Sequence, residues 1–298
     1  MPEQAQIILP FADSTCETIC AIGHGNCALL KELANYLRLP LQSDECTKPT
    51  VIISEEAPSA DDGWSDWSGV VRFKGAIHWK PDEFRFLFHL PFAKRYALIP
   101  IIRRAFNLAC LRRTLFGKTI IVHGTLLSFT DTNDAAVLFG HSGIGKSTAS
   151  ERFTRQGGSY LSDDKMLITI LDDNRIVAQP TPTWSRYGVR DLDVEFSKVV
   201  PVKSLLWLSR GEDDTIHPAE PVQWRLTLVK SFSNVLEYPC NWLPNELISK
   251  IMDKNLSYMQ LLVSHFGTYE LLGDLNGHIY ENLKAFANCD KSEVLGKD

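Results

Sequence analysis

Residues Ala135-Ala136-Val137-Leu138-Phe139-Gly140-His141-Ser142-Gly143-Ile144-Gly145-Lys146-Ser147 decide how the rest of the chain is read. Five apolar residues make a strand, and Gly140 to Ser147 complete the pattern G-x-x-x-x-G-K-[ST]. Thr148-Ala149-Ser150-Glu151-Arg152-Phe153 continues as a helix. The glycines let successive backbone N–H groups turn inward around a phosphate, and the helix adds its positive N-terminal end. Gly140, Ser142, Gly143, Ile144, Gly145, Lys146, Ser147 and Thr148 are therefore the expected nucleotide-binding residues. Lys146 can reach the β and γ phosphates, and the Ser147 hydroxyl is placed for Mg2+.

A phosphate loop holds a nucleotide, so the groups that act on it must be sought nearby. Arg155-Gln156-Gly157-Gly158 ends the helix with a left-handed cap, and Ser159-Tyr160-Leu161 is a short strand leading to Ser162-Asp163-Asp164. Two adjacent carboxylates there can divide two tasks, one holding Mg2+ and the other taking a proton from an attacking hydroxyl. A second acidic pair, Asp172-Asp173, is followed by Asn174-Arg175 between apolar runs and reads as a hairpin turn. Upstream, Thr119 to Val122 and Thr125 to Phe129 read as strands flanking His123-Gly124, with a turn at Asp131-Thr132-Asn133-Asp134. Alone, His123 would be a packed core residue. Beside the loop and the Asp163-Asp164 pair it becomes a candidate active-site group.

The runs Ile121-Val122-His123-Gly124-Thr125-Leu126-Leu127, Gly140 to Ser147 and Arg155 to Asp164 resemble the catalytic domain of bacterial HPr kinase/phosphorylase. The resemblance covers Lys118 to Lys165 and is only an outline beyond. It implies a fold shared with phosphoenolpyruvate carboxykinase and transfer of a phosphoryl group from ATP, with Mg2+, to a serine hydroxyl. By position it implies that Lys146 and the loop amides bind phosphate, that Ser147 and Asp164 hold the metal, that Asp163 is the base, and that His123 is a polar contact near the transferring group. The two aspartates could exchange roles. The family's Glu-Ile-Arg-Gly-Leu-Gly-type segment, tied to phosphorylase activity, is missing. The corresponding region reads Thr183-Trp184-Ser185-Arg186-Tyr187-Gly188-Val189-Arg190. This departure points to divergent HPr-kinase-related proteins, some of which phosphorylate a serine of a peptide precursor. Arg186 and Arg190 are candidate contacts to phosphate or substrate.

The first hundred residues are less legible. Thr18 to Ile22 and Val51-Ile52-Ile53 read as strands, Ala28 to Leu37 as a helix closed by Pro40, and Val70 to Ile77 and Phe84 to Leu90 as a meander. Alternation puts Phe84, Phe86 and Phe88 on one face. Leu98 to Leu115 reads as a basic helix whose Arg103, Arg104, Arg112 and Arg113 form a solvated face or an anionic-partner patch. Cys16, Cys20, His24 and Cys27 are four soft ligands within twelve residues, but their spacing fits no standard knuckle, and Gly23 and Gly25 interrupt a helix that would align them. Gly211-Glu212-Asp213-Asp214 reads as an acidic loop.

Composition bounds the rest. With 298 residues, 44% hydrophobic, and net charge −5, the chain is a soluble globular protein and not a disordered, collagen-like or coiled-coil one. The length suggests two domains. The boundary is placed at Gly117, with a mixed α+β domain for substrate or partner recognition over 1–117 and a P-loop kinase domain over 118–298. The fold class expected is α/β with α+β elements. The acidic balance argues against nucleic acid, and no apolar run approaches the roughly 18 residues of a membrane span. Met1-Pro2-Glu3-Gln4 does not read as a signal peptide, so a cytoplasmic protein is expected, with most of its seven cysteines reduced and buried. The reading is a Mg2+-dependent ATP phosphotransferase acting on a hydroxyl of a peptide, protein or small molecule. The alternatives are a nucleotide-gated binding protein without transfer and a small-molecule kinase with the same core. The resemblance is compatible with a homo-oligomer.

Overall fold

A computed structural model of the chain describes residues 4–43, 48–59, 62–67, 76–80, 83–90, 98–182, 184–185, 188–189, 195–240, 245–274 and 277–289. It is a mixed α/β structure with six helices among the described residues. The first half contributes β1 (Gln4–Pro10), β2 (Cys16–Ile22), α1 (His24–Leu37), β3 (Val51–Ser54), β4 (Ser65–Trp67), β5 (Ala76–Lys80) and β6 (Arg85–His89). Its six strands form one sheet in the order β1-β2-β3-β6-β5-β4, in which β3 runs parallel to both β2 and β6. The helix α1 buries Leu29, Leu30, Leu33, Ala34 and Leu37, the i, i+3, i+4 stripe read from the sequence, against β1 and β2. Phe84, Phe86 and Phe88 are all buried in the same core.

A long helix, α2 (Leu98–Phe116), leads into β7 (Thr119–Ser128), β8 (Ala135–Phe139), α3 (Lys146–Arg155), β9 (Ser159–Ser162), β10 (Lys165–Ile170) and β11 (Ile176–Pro180). After the two-residue strands β12 (Trp184–Ser185) and β13 (Gly188–Val189) come β14 (Val200–Arg210), β15 (Thr215–Pro218), α4 (Pro221–Cys240), α5 (Asn245–Phe266), β16 (Tyr269–Gly273) and α6 (Ile279–Asn288). The main path of this second sheet is β11-β10-β7-β8-β14-β16-β15. Strand β14 is parallel to β8 and β16, and β11 also pairs with the first residues of β14, so the sheet curls back on itself.

Alternation along the second sheet sorts its side chains between separate cores. Ile121 and Leu167 face α2 and join the core of the first sheet, together with Phe196 and Ile251. Ile120, Val122, Met166 and Ile168 face the other way, toward Trp224, Leu228 and Phe232 of α4. Leu138 and Leu127 pack with Ala149 and Phe153 of α3 and with α6. One apolar cluster therefore runs across Gly117. At that joint the Tyr258 hydroxyl donates to the Gly117 carbonyl, and burial pushes its pKa up to about 12. Gln179, 1% exposed, adds a polar tie: its amide donates to the carbonyls of Pro10 and Phe196 and accepts from the Ala12 N–H.

Two sequence expectations change. His123-Gly124 does not separate two strands but lies within the continuous β7, because neighbours pair with it on both sides. Gly124 is needed there since a Cβ would stand 2.6 Å from the Leu138 carbonyl oxygen across the β7–β8 ladder. The basic α2 is not a solvated helix. Arg113 is 8% exposed and Ala105 to Leu111 are buried, because the helix is packed between the first sheet and β7.

Candidate functional site

Strand β8 is buried along its whole length and delivers the chain to the glycine-rich loop. Gly143 (φ 78°) and Gly145 (φ 112°) hold left-handed backbone, which the turn into α3 requires and which L side chains rarely adopt. The first helical bond runs from the Ala149 N–H to the Gly145 carbonyl. The N–H groups of Lys146, Ser147 and Thr148 thus lack helical acceptors at the positive end of α3. Ser142, Ser147 and Thr148 are exposed and Ile144 half-buried, whereas Lys146 is folded inward at 7% exposure. Its ammonium donates to the carbonyls of Gly140 and His141, both at 3.0 Å. Burial lowers the Lys146 pKa, and the negative charge of Asp164 works against that shift.

The carboxylates reach the loop through β7. Strand β9 pairs with its second half and β10 with its first half, both antiparallel, and Asp163-Asp164 is the bend between them. The Gly124 N–H donates to the Asp164 carbonyl at 3.0 Å, and on the other side of β7 Gly124 is partnered by Phe139, the last residue of β8. His123 and Asp164 are thereby set beside the start of the glycine-rich loop. His123 Nδ1 lies 3.2 Å from Asp164 Oδ1. A carboxylate only accepts, so Nδ1 carries the proton. Burial raises the Asp164 pKa, but the hydrogen bond from His123 and the charges of Lys165, His123 and Arg103 outweigh it and leave it below the usual value. Asp163 is half-buried in the same bend.

Hydroxyls bind these pieces together. Thr125 donates to the Ser162 carbonyl at 2.9 Å, and its oxygen lies 2.6 Å from the Ser150 hydroxyl, which in turn lies 3.0 Å from the Lys146 carbonyl. Ser162 and Thr181 both donate to the Lys165 carbonyl. At its far end α3 is anchored by Arg152, which pairs with the buried Asp214 and donates to the carbonyls of Asp274 and Gly277. The acidic loop read at Gly211 to Asp214 is thus only partly a solvated one: Asp214 turns inward to meet Arg152.

Sequence reasoning missed Thr125, Ser150, Ser162, Thr181, the Arg152–Asp214 pair, and Arg103 as a charge acting on Asp164. Of these only Ser150, one turn after Lys146 on the same helix face, had a local signal. Arg186 and Arg190 lie outside the described residues. Asp172-Asp173 is the expected turn between β10 and β11. Cys20 and Cys27 are buried, with Cys27 donating to the Ala21 carbonyl, while Cys16 is exposed. Among the described residues no group of three or more His, Cys, Asp or Glu is arranged to hold a metal ion, and no helix is long and apolar enough to cross a membrane.

Fold and site together define a mixed α/β protein with a glycine-rich strand–loop–helix flanked by a His–Asp pair. Residues 96–287 match the family described as SynChlorMet cassette protein ScmC, and the chain belongs to that family. The matched residues include all of α2. Among solved structures, the HPr(Ser) kinase/phosphatase from Coxiella burnetii is similar at 18% identity, over 30% of this chain and 65% of that one, with a TM-score of 0.25. No curated protein matches.

Proposed function

We propose that the protein is a Mg2+-dependent ATP phosphotransferase that phosphorylates a hydroxyl, serine by the sequence resemblance, of a peptide or protein. The observation that carries this reading is the bend Asp163-Asp164, with its His123 partner, set beside the loop that holds Lys146. The N–H groups without helical acceptors at the start of α3 and the Lys146 ammonium suit a polyphosphate. The Ser147 hydroxyl and the Asp164 carboxylate are hard oxygen donors of the kind Mg2+ takes. They would hold it, and it would supply charge neutralisation on the phosphate oxygens.

In this reading Lys146 draws the β and γ phosphates against the loop amides. Asp163 accepts the proton of the acceptor hydroxyl as its oxygen bonds to the γ-phosphorus, the bond to the β–γ bridging oxygen breaks, and ADP leaves. His123 holds the Asp164 carboxylate in one orientation. The test is ATP turnover with candidate peptide acceptors in wild type and Asp163→Ala. A variant that binds ATP and loses transfer supports the reading, whereas one that transfers at the wild-type rate removes Asp163 as the base. Wild type that binds ATP without transferring it to any hydroxyl overturns the reading.

A further inference from the structure

A separate cleft lies in the first half. It measures about 460 Å³ and opens where β2, β3 and β6 begin and α2 ends, lined by Cys16, Glu17, Thr18, Lys48, Thr50, Glu83, Arg85, Arg112 and Phe116. Its size falls in the range of about 300–1,000 Å³ that ligand sites occupy.

The floor is a buried acid whose acceptors are already spent. The Glu17 side chain is 1% exposed; it takes both its 2.9 Å contacts from Arg112 Nη1, a hydrogen bond from the Thr50 hydroxyl, and a further ion pair with Arg113 at 3.7 Å. A carboxylate so engaged does not call for another cation. It fixes Arg112, whose guanidinium stands 5.4 Å over the Phe116 ring. That ring is 62% exposed, an apolar surface beside a cation. Arg85 is likewise anchored, donating to the Pro49 carbonyl and to Glu83 and lying 5.8 Å over the Trp64 ring. Lys48 is exposed and acts on Glu83.

Three cations, Lys48, Arg85 and Arg112, thus face two acids among the lining residues, and one positive charge is unmatched there. Among the described residues no glycine loop or helix N-terminus serves the cleft. It lies at the C-terminal, negative end of α2, which works against any anion, so what draws one there is the side-chain cations of the rim, by guanidinium–carboxylate pairing. We propose that this cleft docks an acidic segment of the peptide acceptor, with a carboxylate on the Arg85–Lys48–Arg112 rim and a neighbouring apolar side chain on Phe116.

The proposal rests on the reading of the acceptor as a peptide. Helix α2 joins the cleft to the phosphate site, since Arg103, on the same helix, acts on Asp164. From Arg103 to Arg112 the helix rises about 14 Å, which an extended segment spans in about four or five residues. The docked acids therefore belong at least that far along the chain from the phosphorylated hydroxyl.

The exposed thiol of Cys16 in the lining makes the docking testable without ATP. Full-length protein is treated with N-bromoacetyl peptides whose cores are Glu-Phe-Glu or Gln-Phe-Gln, and alkylation of Cys16 and of the exposed Cys289 is followed by mass spectrometry. The acidic peptide should label Cys16 at least about tenfold faster than the neutral one. Cys289 should not discriminate between them. Lys48→Glu should abolish the preference, as should Arg85→Gln, a second variant that keeps the outcome readable if one of them folds poorly. Equal labelling of Cys16 by both peptides, or a preference that survives both substitutions, overturns the docking site. ATP turnover without peptide, measured on the same samples, should be unchanged in Lys48→Glu. Selective labelling with no phosphoryl transfer would instead reject the catalytic reading and leave an acidic-peptide binding site.

Discussion

Arg152 on the last turns of α3 and Asp214 on the β14–β15 loop meet inside the protein, with side-chain exposures of 6% and 0%. The helix that begins at Lys146 is thus held at its other end by a pair of buried charges. Asp214 also accepts from the Asp274 N–H at 3.1 Å, and its carbonyl accepts from Asn282. Removing one partner leaves the other charge buried and alone. Asp214→Ala is expected to destabilise the protein by about 3–5 kcal/mol, measured by urea denaturation. The double replacement Arg152→Met with Asp214→Leu should recover part of that loss but not all, because the carbonyl and the N–H of Asp274 lose the hydrogen bonds that Arg152 and Asp214 make to them.

Lys146 should behave in the opposite way. Its ammonium bonds only loop carbonyls, at 3.0 Å, and carries no part of the apolar core. Lys146→Ala should therefore leave the melting temperature within a few degrees of wild type. The affinity for a fluorescent ATP analogue should fall about tenfold or more, the equivalent of one lost charge-assisted contact.

Gly124 separates the ladder under the site from a clash. A methyl group at that position would lie 2.6 Å from the Leu138 carbonyl oxygen. Gly124→Ala is expected to cost about 1–3 kcal/mol of stability as β7 and β8 move apart. Because His123 precedes this residue and Phe139 faces it, the same change should lower ATP turnover more than it lowers nucleotide affinity. Calorimetry and steady-state kinetics on one preparation check both parts.

Acid should loosen the contact between the first sheet and α2. Burial raises the Asp13 pKa, but the hydrogen bonds from Thr15 and the pairing with Arg113 at 2.6 Å prevail and hold it below its ordinary value of 3.8. A carboxyl depressed by folding adds stability at pH values above its unfolded pKa, and that contribution is lost as the pH falls through the folded one. Asp13→Asn should lower stability by about 1 kcal/mol at pH 7 and make no difference well below pH 3. Urea midpoints measured between pH 7 and pH 2.5 would show the two curves converging.

The second half was legible because its signals are local. The apolar strand, the glycines with positive φ and the helix after them lie within one continuous run, and the turns at Asp172 and Asp131 carry their own residue chemistry. What escaped was everything that depends on partners far along the chain. Asp214 and Arg152 are 62 residues apart, and nothing in Gly211-Glu212-Asp213-Asp214 marks one acid of the run as buried. The arginines of α2 looked solvated because charge predicts exposure, yet Arg113 meets Asp13 across 100 residues and Arg112 meets Glu17 across 95. His123-Gly124 looked like a break between strands because glycine usually interrupts one. In β7 it instead permits close approach of the neighbouring strand.

The apolar cluster that crosses Gly117 makes the two halves hard to trade. Ala105, Leu108 and Ala109 of α2 share that cluster with Phe86 on one side and with Ile121 and Leu167 on the other. A change in the first sheet is felt in β7 and β10, so a graft of residues 118–298 onto another first half would carry an unclothed face with it. Substitution in the first half is then easiest at its rim, where side chains can be exchanged without reopening the seam.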